Sequence, residues 1–116
     1  MKLQKNYRLK NEQQTYPELK KYFERKGYIY SRIEANPTIP DIHIMKSNKW
    51  YWTEVKILRS QKELFSAITA DDLSWQPGQL KFRKDMIDVG LGDHYLLVVV
   101  TLDWEFRFII GGLDRK

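Results

Sequence analysis

Apolar residues in this 116-residue chain follow two patterns, one with helical spacing and one with the spacing of strands. Leu19, Tyr22 and Phe23 recur at i, i+3 and i+4, which predicts a helix over residues 17–26. Thr15 stands as its N-cap with Glu18 three residues on, the spacing of a capping box, and Pro17 fits the first turn. Gly27 ends it, as glycine commonly does just past a helix. Strands are expected over 28–34, 39–45 and 50–58, all bearing aromatic or β-branched residues. Only Lys46-Ser47-Asn48-Lys49 separates the last two, which implies an antiparallel hairpin. Pro77 opens a second helix to about residue 89, and Gly90 and Gly92 stop it. Residues 95–102 are a continuous apolar run, as in a strand buried on both faces, and 104–110 supply a last strand. This order predicts an α/β fold, one mixed central sheet flanked by helices. A right-handed parallel crossover through the second helix would join 50–58 to 95–102.

Two stretches carry neither pattern. Residues 1–15 are polar apart from Leu3, Tyr7 and Leu9 and read as a loose, basic N-terminal arm or a short preliminary element. Residues 59–75 read as a variable excursion, where Ser60-Gln61-Lys62-Glu63 has capping-box spacing ahead of Leu64, Phe65 and Ile68. The length suits a single domain over 1–116. A hydrophobic fraction of 42% is enough for a core and argues against wholesale disorder. The lack of cysteine excludes disulfides, a thiolate zinc site and a Cys nucleophile. No apolar run reaches the roughly 18 residues of a membrane span, and residues 1–5 lack the apolar centre of a signal peptide. The expectation is a soluble cytoplasmic protein, in the host cytoplasm if viral.

Charge refines this picture. The net +5 is uneven: residues 1–32 hold nine Lys or Arg and three acids, a net of +6, while the rest is near neutral. A basic end on a neutral body suits a polyanionic partner, most commonly nucleic acid. A solvated, lysine-rich helix accounts for the same count.

Strand alternation places Trp50, Trp52, Glu54, Lys56 and Leu58 on one face of 50–58. Glu54 and Lys56 then lie roughly 7 Å apart on an otherwise buried strand. Burying a carboxylate and an ammonium is costly unless they are paired or bind a metal. Glu-x-Lys occurs three times, but Glu18-Leu19-Lys20 and Glu24-Arg25-Lys26 lie on a helix, where i and i+2 do not share a face. Pro40-Asp41 opens the preceding strand, and the hairpin would bring Asp41 close to Glu54. Two carboxylates and a lysine then converge. Such hard oxygen donors suit Mg²⁺ or Mn²⁺, and Lys56 would stand beside a water able to attack phosphorus. The plain alternative is a surface ion pair worth about 0–1 kcal/mol.

Pro40-Asp41 followed by Glu54-Val55-Lys56 resembles the signature of the PD-(D/E)xK nuclease superfamily. The layout is similar to VRR-NUC and Holliday-junction-resolvase-like enzymes, including small bacteriophage members. Glu18-Leu19 on a helix ending at Gly27-Tyr28, Arg32-Ile33-Glu34 before Pro40-Asp41, and Gln76-Pro77-Gly78-Gln79 opening the second helix carry the likeness. Ile39 stands where VRR-NUC domains usually have Gly.

The resemblance implies a restriction-endonuclease-like core (αβββαβ) and a metal-dependent DNA endonuclease that favours branched DNA. Asp41 and Glu54 would hold Mg²⁺, helped by Glu18 or Glu34 and the Val55 carbonyl, with Lys56 and Gln79 at the attacking water. Lys2, Lys5, Arg8, Lys10, Lys20, Arg32, Lys49 and Arg59 would contact phosphates. Paired nicks across a junction imply a homodimer. The alternatives are a nuclease for flap, nicked or duplex DNA in repair or restriction, and a non-catalytic nucleic-acid-binding module. Trp75 is a candidate nucleic-acid contact, and His43 shares Asp41's face.

Overall fold

The computed structural model describes residues 9–34, 38–59 and 68–115. A 3₁₀ turn, Glu12–Thr15, runs straight into helix α1, Tyr16–Arg25. This changes the expected helix start. Thr15 is already helical and makes no cap bond; its hydroxyl donates back to the Glu12 carbonyl at 2.6 Å. The start lies at Asn11 instead, whose amide donates to Gln14 Oε1 at 3.1 Å. Tyr16, Leu19 and Phe23 form the buried stripe of α1. Gly27, at φ +92°, reverses the chain, so that its amide reaches Glu24 O and that of Tyr28 reaches Phe23 O, both at 3.0 Å.

Strands β1 (Ile29–Arg32), β2 (Ile42–Lys46), β3 (Lys49–Leu58), β4 (Tyr95–Thr101) and β5 (Phe106–Ile110) form one sheet in that spatial order. All neighbours are antiparallel except β3 and β4, which run parallel. The crossover between them carries helix α2, Gln79–Asp88. This is the expected α/β architecture with a mixed sheet. β2 begins three residues later than its apolar run, because Pro40 has no amide to give to a ladder. β5 begins at Phe106, since Trp104 sits in a turn with φ 66°. α2 begins after Gly78 rather than at Pro77.

The sheet is covered on both faces. On one, Ile42, Ile44, Val55, Ile57, Leu96, Val98 and Val100 pack against α1. On the other, Leu58, Tyr95, Leu97 and Val99 pack against Met86 of α2 and against Ile68 and Leu73. Among the described residues no helix is long and apolar enough to cross a membrane. The possible helix start at 60–63 lies outside the described residues, as do Lys2, Lys5 and Arg8. Residues 70–72 form a short 3₁₀ turn.

Candidate functional site

β2 pairs with β3 only as far as Ile42 opposite Thr53. Beyond that point Glu54 to Leu58 keep β4 on one side and lose β2 on the other. A cavity of about 430 Å³ occupies this edge, and the Glu12–Thr15 turn packs against it. Asp41, Glu54, Val55, Lys56 and Gln79 all line it. The hairpin register extends to set Asp41 beside Glu54, as the short linker predicted.

Gln79 arrives by a different route. Gly78 lies against Thr38 so closely that a Cβ there would be 2.5 Å from Thr38 Cγ2. Its left-handed φ of +88° lets the backbone turn into α2 at that point. Gln79 Oε1 then accepts from Lys56 Nζ at 2.6 Å and from the Gln76 amide at 2.8 Å.

Lys56 is buried, its side chain 5% exposed. Its ammonium is held by Gln79, lies 4.0 Å from Glu12 Oε1, and sits 4.9 Å from the centre of the Trp75 ring. Trp75 is fixed in turn by its indole N–H, which donates to Ala70 O at 2.8 Å. Glu54 is 6% exposed, and its Oε1 has no hydrogen-bond partner among the described residues. Burial pushes its carboxyl up to about 7; Lys56 and the Val55 backbone oppose the rise, while Asp41 and Glu12 add to it. The Tyr16 hydroxyl donates to Asp41 Oδ2 at 3.0 Å. Burial first, and then the Asp41 carboxylate, hold that hydroxyl protonated well above the usual tyrosine range.

The other expected acids stand elsewhere. Glu18 does not line the cavity; it lies two residues beyond Tyr16, which turns it to another side of α1. Glu34 is exposed and pairs with Arg32 at 3.3 Å. Glu12, read from sequence as part of a loose arm or a short preliminary element and given no role, provides the third carboxylate of the cavity, and Tyr16 was not foreseen either. A signal did exist: Asn11 and Gln14 have the spacing of a helix start, and Glu12 and Tyr16 are an i, i+4 pair.

His43 does not reach the cavity. Its ring packs on Trp52 at 4.8 Å and on Trp50 at 6.1 Å, and burial lowers its pKa. Lys10, Lys20 and Lys49 are exposed, as phosphate contacts require. The Arg32 guanidinium lies 4.8 Å from the centre of the Tyr16 ring. Arg59 is committed to the fold, donating to Lys10 O at 2.6 Å and to Leu9 O at 3.5 Å.

Asp41, Glu54 and the Val55 carbonyl are hard oxygen donors of the class Mg²⁺ takes. Glu54 Oε1, buried without a partner among the described residues, is an atom that a cation would satisfy. Among the described residues, no three His, Cys, Asp or Glu side chains are grouped closely enough to hold a metal ion between them.

No family model matches the chain, and no curated protein matches it. A solved structure does: Hjc, a Holliday junction resolvase from the archaeal hyperthermophile Archaeoglobus fulgidus. The TM-score is 0.52 at 17% identity, over 81% of this chain and 74% of the other. The likeness is one of fold, and the mixed five-stranded sheet with its two helices agrees with a restriction-endonuclease-like architecture.

Proposed function

We propose that this chain is a metal-dependent DNA endonuclease of the PD-(D/E)xK type that favours branched DNA. One observation carries the reading: Asp41, Glu54 and Lys56 share a cavity at the open edge of β3, where the buried Glu54 Oε1 lacks a partner among the described residues. The likeness in fold to a Holliday junction resolvase supports branched DNA as substrate.

Hydrolysis joins a water oxygen to phosphorus and breaks the bond to the leaving sugar oxygen, which takes up a proton. Asp41, Glu54 and the Val55 carbonyl would hold Mg²⁺, for which Mn²⁺ can substitute, with Glu12 the nearest further carboxylate. The cation, when bound, supplies positive charge against the charge that builds on the phosphate oxygens. Lys56, oriented by Gln79, places its ammonium where it can position the water or stabilise the same charge. Trp75 and Gln79 restrict the ways that ammonium can point. Two copies related by a two-fold axis would nick both strands of a junction.

The test is cleavage of labelled four-way junction, flap and linear duplex in Mg²⁺ or EDTA. The junction should be cut, and EDTA should abolish cutting. Glu54→Ala and Lys56→Ala should each lower the rate on the order of 10²–10³-fold while junction binding persists. No cleavage of any substrate in Mg²⁺ or Mn²⁺ would leave a binding module. Equal cutting of duplex and junction would leave a nuclease of flap, nicked or duplex DNA. Sedimentation showing a monomer on junction DNA would remove the paired-nick scheme.

A further inference from the structure

A second cavity, of about 380 Å³, lies on the sheet face opposite Glu54 and Lys56, toward the β2–β3 turn. Its walls are aromatic. Tyr22 of α1 and Phe108 of β5 lie parallel, 5.0 Å apart at 10°. Tyr51 of β3 meets Tyr28 at 6.4 Å. All four rings are only half-buried, so each keeps open surface. The Tyr22 and Tyr51 hydroxyls are near enough to that of Tyr28 to add to the rise that burial causes in its pKa. None of the three hydroxyls has a hydrogen-bond partner among the described residues.

The cavity is also cationic. Lys26 Nζ stands 5.6 Å from the centre of the Tyr22 ring, and Lys46 Nζ 5.5 Å from that of Tyr28. Lys46 Nζ donates to the Lys26 carbonyl at 2.7 Å, which ties the two residues together. Lys49 pairs with Lys46 across the hairpin and adds a third positive charge nearby. No carboxylate is among the residues that line the cavity. Here half-buried rings, tyrosine hydroxyls and two lysines with no carboxylate beside them in the lining surround one space.

We propose that this cavity binds a nucleotide, its base against the tyrosine and phenylalanine rings and its phosphate at Lys26 and Lys46. Every base offers a flat π-face, so stacking on such walls tolerates any sequence. Lysine suits a phosphate as a mobile point charge. The nucleotide comes either free from solution or as an unpaired residue of a DNA strand. The site shares no lining residue with the cavity at the edge of β3, so it stands whether or not the chain is a nuclease.

The experiment uses the Glu54→Gln chain in EDTA, so that cleavage plays no part. Deoxyadenosine monophosphate and a ten-residue oligo(dA) are titrated separately while the tyrosine ring signals are followed by NMR. The rings of Tyr22, Tyr28 and Tyr51 should shift saturably. The double variant Lys26→Gln/Lys46→Gln, which alters exposed side chains and gives up the Lys46 bond to the Lys26 carbonyl, should bind about tenfold more weakly while still melting as a folded chain. Shifts with the mononucleotide identify the free ligand, and shifts with the oligonucleotide alone identify a strand; both support the site. Two results would overturn it: neither probe moves these rings, or the double variant binds as tightly as its parent.

Discussion

The two halves of β3 have the same backbone and different neighbours. Lys49 to Thr53 lie between β2 and β4, or extend from them into the hairpin, and carry aromatic and hydroxyl side chains. Glu54 to Leu58 keep β4 alone, and the buried carboxylate and ammonium are found there. The difference shows how a sheet accommodates buried charge. Where a neighbouring strand stops, its volume is free for groups drawn from elsewhere. Here Glu12, Gln13, Tyr16 and Trp75 border that volume and bring polar partners. Pro40 sets the stopping point of β2 and is therefore as much a condition of the site as the acids are.

The largest effect that tests this contrast is on stability against pH. The Glu54 carboxyl is raised from an unfolded value near 4.5 to about 7, chiefly by burial. Between those values the unfolded chain releases a proton that the native one retains, so native stability falls as pH rises and levels off above 7. Glu54→Gln has no such proton. In EDTA its unfolding free energy should gain on the parent's by roughly 3 kcal/mol between pH 4.5 and pH 8. Urea titrations at both pH values, with no growth in the gap, would show that the open half is not dry enough to matter.

Divalent cation comes next. Mg²⁺ at a hundred times its dissociation constant should stabilise the parent by about 2.7 kcal/mol, and Glu54→Ala should lose this. Calorimetry with and without EDTA decides it, and equal stabilisation of both chains would place the ion elsewhere. Gln79→Leu removes the acceptor of the Lys56 ammonium and should slow cleavage about tenfold at unchanged junction affinity. A fall in affinity instead would make Gln79 a binding residue. The smallest effect belongs to the paired half. Lys49→Ala should leave stability within about 0.5 kcal/mol. It should weaken binding alike for all DNA structures and lower the salt slope by about one.

The same contrast explains what could be read in advance. Glu54 and Lys56 stood out because strand alternation put charge on an element that is otherwise apolar. Asp41 followed from a linker too short for anything but a hairpin. Both inferences use local periodicity. Glu12 and Tyr16 could not be found that way, because their place depends on contacts far along the chain and residues 1–15 have no apolar period. Glu18 drew attention through the resemblance to resolvases with an acid on the first helix, but the helix starts earlier, at Asn11, and the register of α1 turns that side chain aside. The apolar run before β2 overstated the strand, since periodicity does not register the missing amide of Pro40. The aromatic cavity was hidden for a related reason: Tyr22, Tyr28, Tyr51 and Phe108 belong to four separate segments, each of which reads as ordinary core.

The bond from Arg59 to the Lys10 carbonyl joins residues 49 apart, and the parallel pairing of β3 with β4 must wait for the whole crossover. Closing such loops costs chain entropy that their contacts must offset. The wall that carries Glu12 and the strand that carries Glu54 and Lys56 are therefore held together by contacts between residues far apart in the chain. α1 and the β2–β3 hairpin alone do not make the cavity, since its lining also draws on residues 74–76 and 79, so the site belongs to the whole fold and to no fragment of it.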